Sequence, residues 1–223
     1  MENLSTSASI PAPPAVSGLS PEEITGAAIF IDYIAQIQNV GIQELVALVM
    51  DRIGVGNKYF FNAPASSSRK HHPTCSNVTP GGLVRHVFRA IEIGKHICRA
   101  LDFSDIERDI VIASLIMHDI WKNDFKHHAS RAGREIMETI GANPHLFKTV
   151  SVDVLAQIVK CVQLHMGPWT ENGVKKKPMQ EYALTELAVY LSDYISSRQD
   201  IATTQDACSL DLVKAFFSAQ RLQ

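Results

Sequence analysis

The chain has 223 residues, of which 46% are apolar and 20% are charged, and its formal net charge is −2 at pH 7. These values are typical of one ordinary globular domain, long enough to bury a core without disulfide or metal staples. The near-neutral charge excludes bulk electrostatic binding to nucleic acid, although it leaves room for a local basic site.

The four cysteines, Cys75, Cys98, Cys161 and Cys208, lie far apart and form no CxxC pair, which argues against a zinc-finger or redox motif. We interpret them as reduced thiols and therefore expect a cytoplasmic protein. No apolar run reaches the roughly 18 residues of a membrane span, and no basic stretch followed by an apolar one marks a signal peptide. We therefore expect no membrane partner.

The N-terminal segment differs in composition from the rest of the chain. Residues 1–19 are rich in Ser, Ala and Pro, and we expect a disordered tail there, followed by a single helical domain at residues 20–223. The domain begins at Ser20, which is placed as a helix N-cap, with Pro21 at the first helical position and Glu23 at capping-box spacing.

Two helices open the predicted domain, and a long loop follows them. The first helix is predicted to run to about Gln38, and the second from Ile42 to Ile53. Helical periodicity then disappears from Gly54 to Gly82, and a loop of this length inside a compact domain is more often functional than idle. Basic residues in the loop make Arg69 and His72 candidate substrate contacts, with a merely solvated loop as the alternative.

The next predicted helix, Leu83 to Leu101, separates its two histidines. At about 100° per residue, His86 lies on the apolar face of this helix. His96 falls on the polar face together with several arginines, so we interpret it as a surface histidine. An inward histidine alone is more often a satisfied core residue than a metal ligand.

The most informative stretch is the apolar run Ile110–Met117, which is followed directly by His118 and Asp119. A buried strand would read the same way, but Ser104 and Glu107 have capping-box spacing and the pattern is long for a strand. A helix that is apolar on all sides is a buried one. Burying an unpartnered carboxylate costs several kcal/mol or more, and an imidazole beside it suggests a metal ion.

Four further helices complete the predicted all-helical fold. They are expected at about Ala129–Ile140, closed by Gly141, at about Val152–His165, at Gln180–Arg198, and from a cap at Ser209 to the C-terminus.

Two of these helices carry further candidate ligands. His165 lies on the inward face of its helix. Asp193 either points at the interior or is a surface carboxylate, and its position on the helix permits both. The run Lys175–Lys177 in the loop between these helices is interpreted as solvated surface, and a role in steering phosphate is the lesser alternative.

Inward or helix-end residues therefore follow one another on successive helices in the order His86, His118, Asp119, His165 and Asp193. This order resembles the HD-domain superfamily of metal-dependent phosphohydrolases, over about residues 59–198. The segments that carry the resemblance are GGLVRH at 81–86, HDIWK at 118–122, HASRA at 128–132, LHMG at 164–167 and SDYIS at 192–196. Trp121 replaces the glycine of the family's HDIGK motif, and Met166 replaces the second histidine of its HHG motif.

The resemblance implies an all-helical HD-domain bundle and two sets of metal ligands. The first set is His86, His118, Asp119 and Asp193. The second set is His128, His165 and the bridging Asp119, with His127 as the alternative to His128. The resemblance also implies that Asp119 and Lys122 are catalytic. Lys122 would contact a phosphate oxygen, unless it is a helix-end surface lysine, and Trp121 would limit the space for substrate beside it.

The donor chemistry agrees with the resemblance. Mixed imidazole and carboxylate ligands suit manganese, iron, cobalt, nickel or zinc better than magnesium. Two such ions can clamp a phosphate and lower the pKa of a water molecule enough to make it a nucleophile near neutral pH. We therefore expect a hydrolase that uses one or two divalent transition-metal ions to cleave a phosphoester in a nucleotide or a short oligonucleotide.

Three alternatives remain at this point. A module like those of 3′–5′ exonucleases or relaxases would act on nucleic acid, although such modules usually carry extra domains for which this chain has no room. A non-catalytic HD module would bind a nucleotide without turnover. A purely structural helical scaffold would need its inward histidines to be satisfied by chance hydrogen bonds.

Overall fold

The computed structural model describes residues 26–54, 60, 63–65, 81–122, 126–170 and 173–198. Within these residues the protein contains seven α-helices, two short 3-10 helices and no strand, so the predicted all-helical fold is confirmed. The predicted tail at 1–19, the helix start at Ser20, most of the loop between Gly54 and Gly82, and the helix predicted from Ser209 lie outside the described residues.

The helices have the following bounds, numbered here in chain order. They are α1 Gly26–Ile34, α2 Val40–Gly54, α3 Gly82–Ala100, α4 Asp105–Met117, α5 His128–Ala142, α6 Val152–Leu164 and α7 Leu184–Ser196. The 3-10 helices, Gly167–Trp169 and Met179–Glu181, lie between α6 and α7. None of the helices in the described part of the chain is long and apolar enough to cross a membrane.

Helix α4 forms the centre of the fold. Every residue from Asp109 to Met117 is buried, and α4 packs against α2, α3, α6 and α7. At its start the Glu107 carboxylate accepts the backbone N–H of Ser104 at 2.9 Å, as the capping-box spacing predicted. The prediction of a buried central helix is therefore confirmed, and the chain leaves that helix at His118 in the interior of the protein.

The other helices surround α4 in contacting pairs. Helix α3 packs against α7, α5 against α6, and α1 against α2. Helix α3 begins directly after Gly81, whose φ of 85° lies in the left-handed region that favours glycine. Cys98 and Cys161 are free and buried, consistent with the predicted reduced thiols, whereas Cys75 and Cys208 lie outside the described residues.

The predicted end of the first helix was wrong, because a carboxylate distant in sequence accepts hydrogen bonds from the backbone that follows the helix. Helix α1 ends at Ile34 rather than near Gln38. The Asp109 carboxylate, from α4, accepts the backbone N–H of Gln38 at 3.0 Å and that of Asn39 at 2.8 Å. Two donors that a longer helix would have used are thereby satisfied from outside the segment.

Two other predicted boundaries also shift. Gly141 lies inside α5, which continues to Ala142, and the Asn143 side chain then donates to the Thr139 carbonyl at 3.0 Å. Helix α7 starts at Leu184 rather than at Gln180, because the Glu186 carboxylate accepts the Ala183 N–H at 2.9 Å and so sets the first turn.

The role of Asp109 can be tested by its removal. Asp109 is buried and accepts two backbone N–H groups, so Asp109→Ala leaves both donors without their partner. We expect a loss of about 2 kcal/mol in the free energy of unfolding, measured by urea denaturation. Asp51→Ala, at an exposed position on α2, should stay within about 0.5 kcal/mol of the parent. Equal stability of the two variants would contradict the assignment.

Candidate metal centre

Five helices or helix ends deliver six polar side chains to one region of the interior. His86 lies on α3, His118 and Asp119 directly follow α4, His128 begins α5, His165 directly follows α6, and Asp193 lies on α7. The four histidines and Asp119 are at most 1% exposed, whereas the Asp193 side chain is 19% exposed. This burial agrees with the inward orientation predicted for His86, His118, Asp119 and His165.

The first triad consists of His86, His118 and Asp119, whose ligand atoms lie within 4.8 Å of one another. The Oδ2 atom of Asp119 lies 3.6 Å from His86 Nε2 and 3.5 Å from His118 Nε2. Asp193 adjoins this triad, with its Oδ1 atom 3.0 Å from His86 Nε2 and 3.7 Å from His118 Nε2. Two carboxylates and two imidazoles therefore face one point.

The second triad uses the other oxygen of the same carboxylate. The Oδ1 atom of Asp119 lies 3.4 Å from His128 Nε2 and 3.5 Å from His165 Nε2, and the two Nε2 atoms are 3.2 Å apart. The ligand atoms of these three residues also lie within 4.8 Å of one another. Asp119 thus directs one oxygen at each triad.

Hydrogen bonds at the opposite nitrogen orient three of the four imidazoles. His118 Nδ1 donates to the Leu115 carbonyl at 2.8 Å, and His165 Nδ1 donates to the Val162 carbonyl at 2.7 Å. His86 Nδ1 lies 3.0 Å from the Ser196 hydroxyl, which itself donates to the Asp193 carbonyl. A proton held on Nδ1 leaves Nε2 as a lone-pair donor, which is the usual arrangement around a protein-bound metal.

His128 is the exception among the four rings. Its Nδ1 atom is buried without a hydrogen-bond partner among the described residues. Burial, together with the charge of Lys122, lowers the pKa of His128 to about 3. This ring is therefore neutral near pH 7, as a metal ligand must be.

Burial and neighbouring charges shift the pKa values of these residues in different directions. Burial alone raises the pKa of Asp119, but Lys122 and His118 outweigh it and hold that pKa well below its ordinary value. Asp193 behaves in the same way, through its contacts with His118 and His86. Burial tends to lower the pKa of His118, yet Asp119 and Asp193 raise it overall, whereas for His86 burial prevails and its pKa is lowered. Contacts with Lys122 and the imidazoles therefore stabilise the two carboxylates.

These residues fit a divalent transition-metal ion. His118 Nε2 and Asp119 Oδ2 are both buried and have no hydrogen-bond partner in the described part of the chain. Leaving buried polar atoms unsatisfied costs about 1–3 kcal/mol each, and an ion between them would remove that cost. Imidazole nitrogens with carboxylate oxygens form the donor set that manganese, iron, cobalt, nickel and zinc accept.

Lys122 and Trp121 occupy different surroundings although they are adjacent in sequence. Lys122 Nζ lies 3.0 Å from Asp119 Oδ1, and its side chain is 17% exposed, so it is not the surface lysine considered as its alternative. Trp121 packs against the hydrophobic core and faces the Arg131 guanidinium, 3.9 Å from the ring centroid. Trp121 lines a groove on α5 and does not line the cleft beside Asp193.

The remaining candidate residues lie on the surface or outside the described part of the chain. His127 is exposed, while His128 lies in the second triad, so the structure favours His128 over its neighbour. His96 is exposed, as predicted. Arg69 and His72 lie outside the described residues, and their role in substrate binding stays a prediction.

The predicted solvated lysine run is only partly solvated. Lys175 and Lys176 are exposed. Lys177 instead contacts the buried Glu186 carboxylate at 2.6 Å. This ion pair fastens the loop before α7 to the helix.

Ser196 is a residue of the site that the sequence analysis did not identify. Its hydroxyl accepts the Nδ1 proton of His86 across 3.0 Å. The available signal is its spacing from Asp193, because residues three apart on a helix share a face.

The fold and this site together define a class of protein: an all-helical domain with a buried cluster of imidazoles and carboxylates suited to metal ions. A family model described as the HD domain matches residues 83–198, more than half of the chain. The chain therefore belongs to the HD-domain family, whose members are generally metal-dependent hydrolases. Searches of curated proteins and of solved structures return no match.

The low pKa of His128 predicts how the metal-free protein responds to acid. The unfolded chain takes up a proton at this residue near pH 6.5, whereas the folded protein does so only near pH 3. Stability is therefore lost as the pH falls from about 6.5 towards 3, and His128 contributes about 1.4 kcal/mol per pH unit between pH 6 and 4. His128→Gln should remove that share of the slope in denaturation measured with a chelator present.

A histidine at an exposed position provides the control for this measurement. His145→Gln, at an exposed site before α6, should retain the parental slope. Identical slopes in the parent and in His128→Gln would mean that His128 does not titrate as its burial and the charge of Lys122 require.

Proposed function

We propose that this protein is a metal-dependent phosphohydrolase that cleaves a phosphoester in a nucleotide or short oligonucleotide by means of a metal-activated water. The observation that carries the proposal is the position of the Asp119 carboxylate, which presents one oxygen to each histidine pair. Such a carboxylate is suited to bridge two ions, and paired ions are a recurrent arrangement for attack on phosphate.

Each triad provides one set of ligands in this proposal. His86, His118 and Asp193 would hold one ion together with Asp119, and His128 and His165 would hold the other. Bound divalent ions supply Lewis acidity, which makes a water molecule nucleophilic near neutral pH and offsets charge on the phosphate. The chain itself supplies the fixed geometry, since the Nδ1 contacts of His86, His118 and His165 prevent those rings from rotating.

Lys122 provides a positive charge directly beside the bridging carboxylate. Its ammonium lies 3.0 Å from Asp119 Oδ1 and remains partly accessible to a ligand. An ammonium cannot ligate a metal, but it can donate hydrogen bonds to a non-bridging phosphate oxygen. Its contribution is largest if the charge on that oxygen grows in the transition state.

The buried charges support a catalytic role over the two alternatives without catalysis. A structural scaffold gains nothing from a buried carboxylate beside a half-buried one, because apolar residues of similar volume are often neutral or stabilising replacements. A module that only bound a nucleotide would need neither two triads nor a bridging carboxylate. The assignment of a nucleotide or oligonucleotide substrate rests on the family resemblance and on the small cleft beside Asp193.

The bridging position of Asp119 predicts a distinctive loss of metal. We expect Asp119→Ala to bind neither ion and to have no measurable turnover, since each triad loses a ligand. His165→Ala should lose only the second ion and retain about half of the parental metal content. His96→Ala, which removes an exposed histidine, should retain all of it. Metal content is measured by elemental analysis after loading with manganese, cobalt or nickel and removal of the excess.

Two results would contradict the two-ion proposal. One is an Asp119→Ala protein that keeps its full metal content and activity. The other is a parent protein that binds no transition metal and shows no phosphohydrolase activity when one is added to a panel of nucleotides and short oligonucleotides.

Lys122→Ala separates catalysis from metal binding. We expect the variant to keep its metal content and to lose about 10²-fold in kcat, because it lacks a charge that stabilises the transition state. Lys126→Ala, which removes an exposed lysine nearby, should behave as the parent. A rise in KM with unchanged kcat would instead identify Lys122 as an anchor for the bound phosphate. Unchanged kinetics would exclude both roles.

A further inference from the structure

A cleft opens directly beside the metal centre and is lined largely by aromatic and cationic side chains. Its volume is about 180 Å³, below the roughly 300 Å³ at which whole-ligand pockets begin, so it can accept one part of a small ligand. The residues that line it include Lys122, Met166, Trp169, Tyr190, Asp193 and Arg198. Because Lys122 and Asp193 also border the metal centre, a phosphoester bound there would place one of its substituents in this cleft.

Trp169 is an exposed aromatic residue that lines the cleft. It is 60% exposed, and its ring is stacked on Tyr194 at a centroid separation of 6.0 Å and an interplanar angle of 3°. The indole is thus supported on one side by a parallel ring and is open to a third ring. Flat aromatic ligands stack on such a surface in offset geometry.

The backbone around Trp169 is fixed before any ligand arrives. Trp169 ends a 3-10 helix in which the buried Thr170 hydroxyl donates to the Gly167 carbonyl at 2.7 Å. Gly167 has a φ of +56°, and a Cβ there would lie 2.4 Å from Tyr190 Cε2. Only glycine therefore suits this turn, and the close approach of Tyr190 keeps the turn against α7. A site held in this way loses little entropy on binding.

The charges in the cleft suit a phosphorylated ligand. The Arg198 guanidinium lies 4.1 Å from the Tyr194 ring centroid, and no carboxylate of the described residues forms an ion pair with it. Lys122, which also pairs with Asp119, adds a second cation, and the Asp193 carboxylate lines the cleft with them. The groove beside Trp121 differs in charge, because Glu135 and Glu138 line it together with its arginines. Both glutamates also pair with Arg52.

We propose that this cleft binds the aromatic base of the substrate, stacked on Trp169 and supported by Tyr194, so that the enzyme selects phosphoesters of a nucleoside over those of a sugar or an aliphatic alcohol. The position of the phosphate in this proposal is taken from the proposed function. The base-stacking site itself depends on the Trp169–Tyr194 pair and the adjoining cations. Met166 contributes an apolar wall where the family motif has a second histidine.

Fluorescence tests the location of the base, because the chain has only two tryptophans. In Trp121→Phe, Trp169 is the sole indole, and adenosine 5′-monophosphate should quench its emission in a saturable manner. Ribose 5-phosphate, which carries the phosphate without a base, should not quench it. A chelator is present throughout, so that binding is measured without hydrolysis.

Calorimetry with the same two probes tests selectivity. The parent should bind adenosine 5′-monophosphate at least about tenfold more tightly than ribose 5-phosphate. Trp169→Ala should lose that ratio, Trp169→Phe should retain most of it, and Leu184→Ala, an exposed apolar residue of α7 outside the cleft, should leave it unchanged. Equal binding of the two probes to the parent, or no quenching of Trp169, overturns the proposal.

The two proposals fail in different ways. If adenosine 5′-monophosphate quenches Trp169 but no phosphoester is hydrolysed after metal is added, the cleft binds a base and the proposed function is wrong. If phosphoesters are hydrolysed but Trp169→Ala and the parent show the same preference between the probes, the proposed function stands and the stacking site is wrong.

Discussion

The structure depends on interactions that compensate the free-energy cost of burying the Asp119 carboxylate. An ionised carboxylate in an apolar interior is costly unless it is paired and hydrogen-bonded. Here the compensation comes from several segments of the chain: imidazoles come from α3, α5 and α6, and the neighbouring Lys122 supplies a positive charge. Removing one of these helices would take an imidazole partner away from the carboxylate, so the centre and the bundle are mutually dependent.

Helix ends explain why the imidazoles point as they do. The last carbonyls of an α-helix have no intrahelical donor, and His118 and His165 each follow a helix and donate Nδ1–H to such a carbonyl three residues back. His86 lies within α3, where carbonyls are already used, and it needs Ser196 of α7 instead. His128 begins its helix, where only N–H groups are unsatisfied, and its Nδ1 has no partner among the described residues.

Local sequence patterns predicted the helices and the inward histidines. The features that these patterns did not predict depend on contacts between distant segments of the chain. The length of the apolar run and the Ser104–Glu107 cap were sufficient for α4, and the position of His86 on an apolar face was sufficient for its burial. The end of α1 depends on Asp109, about 70 residues away in sequence. The Trp169–Tyr194 stack joins two segments that carry no signal of their pairing, so sequence alone could not reveal the cleft.

The same short segments that carry His165 and Asp193 also form the cleft, which would couple the proposed selection of substrate to the centre. Trp169 follows His165 by four residues, and Tyr194 directly follows Asp193, so each ligand has an aromatic residue of the cleft close to it in the chain. A shift of α7 or of the turn at Gly167 would therefore move ligand and aromatic ring together. Because Tyr190 packs against that turn, the core fixes the distance from the Trp169–Tyr194 stack to His165 and Asp193. The proposed base-stacking site would therefore favour substrates of one length between phosphate and base.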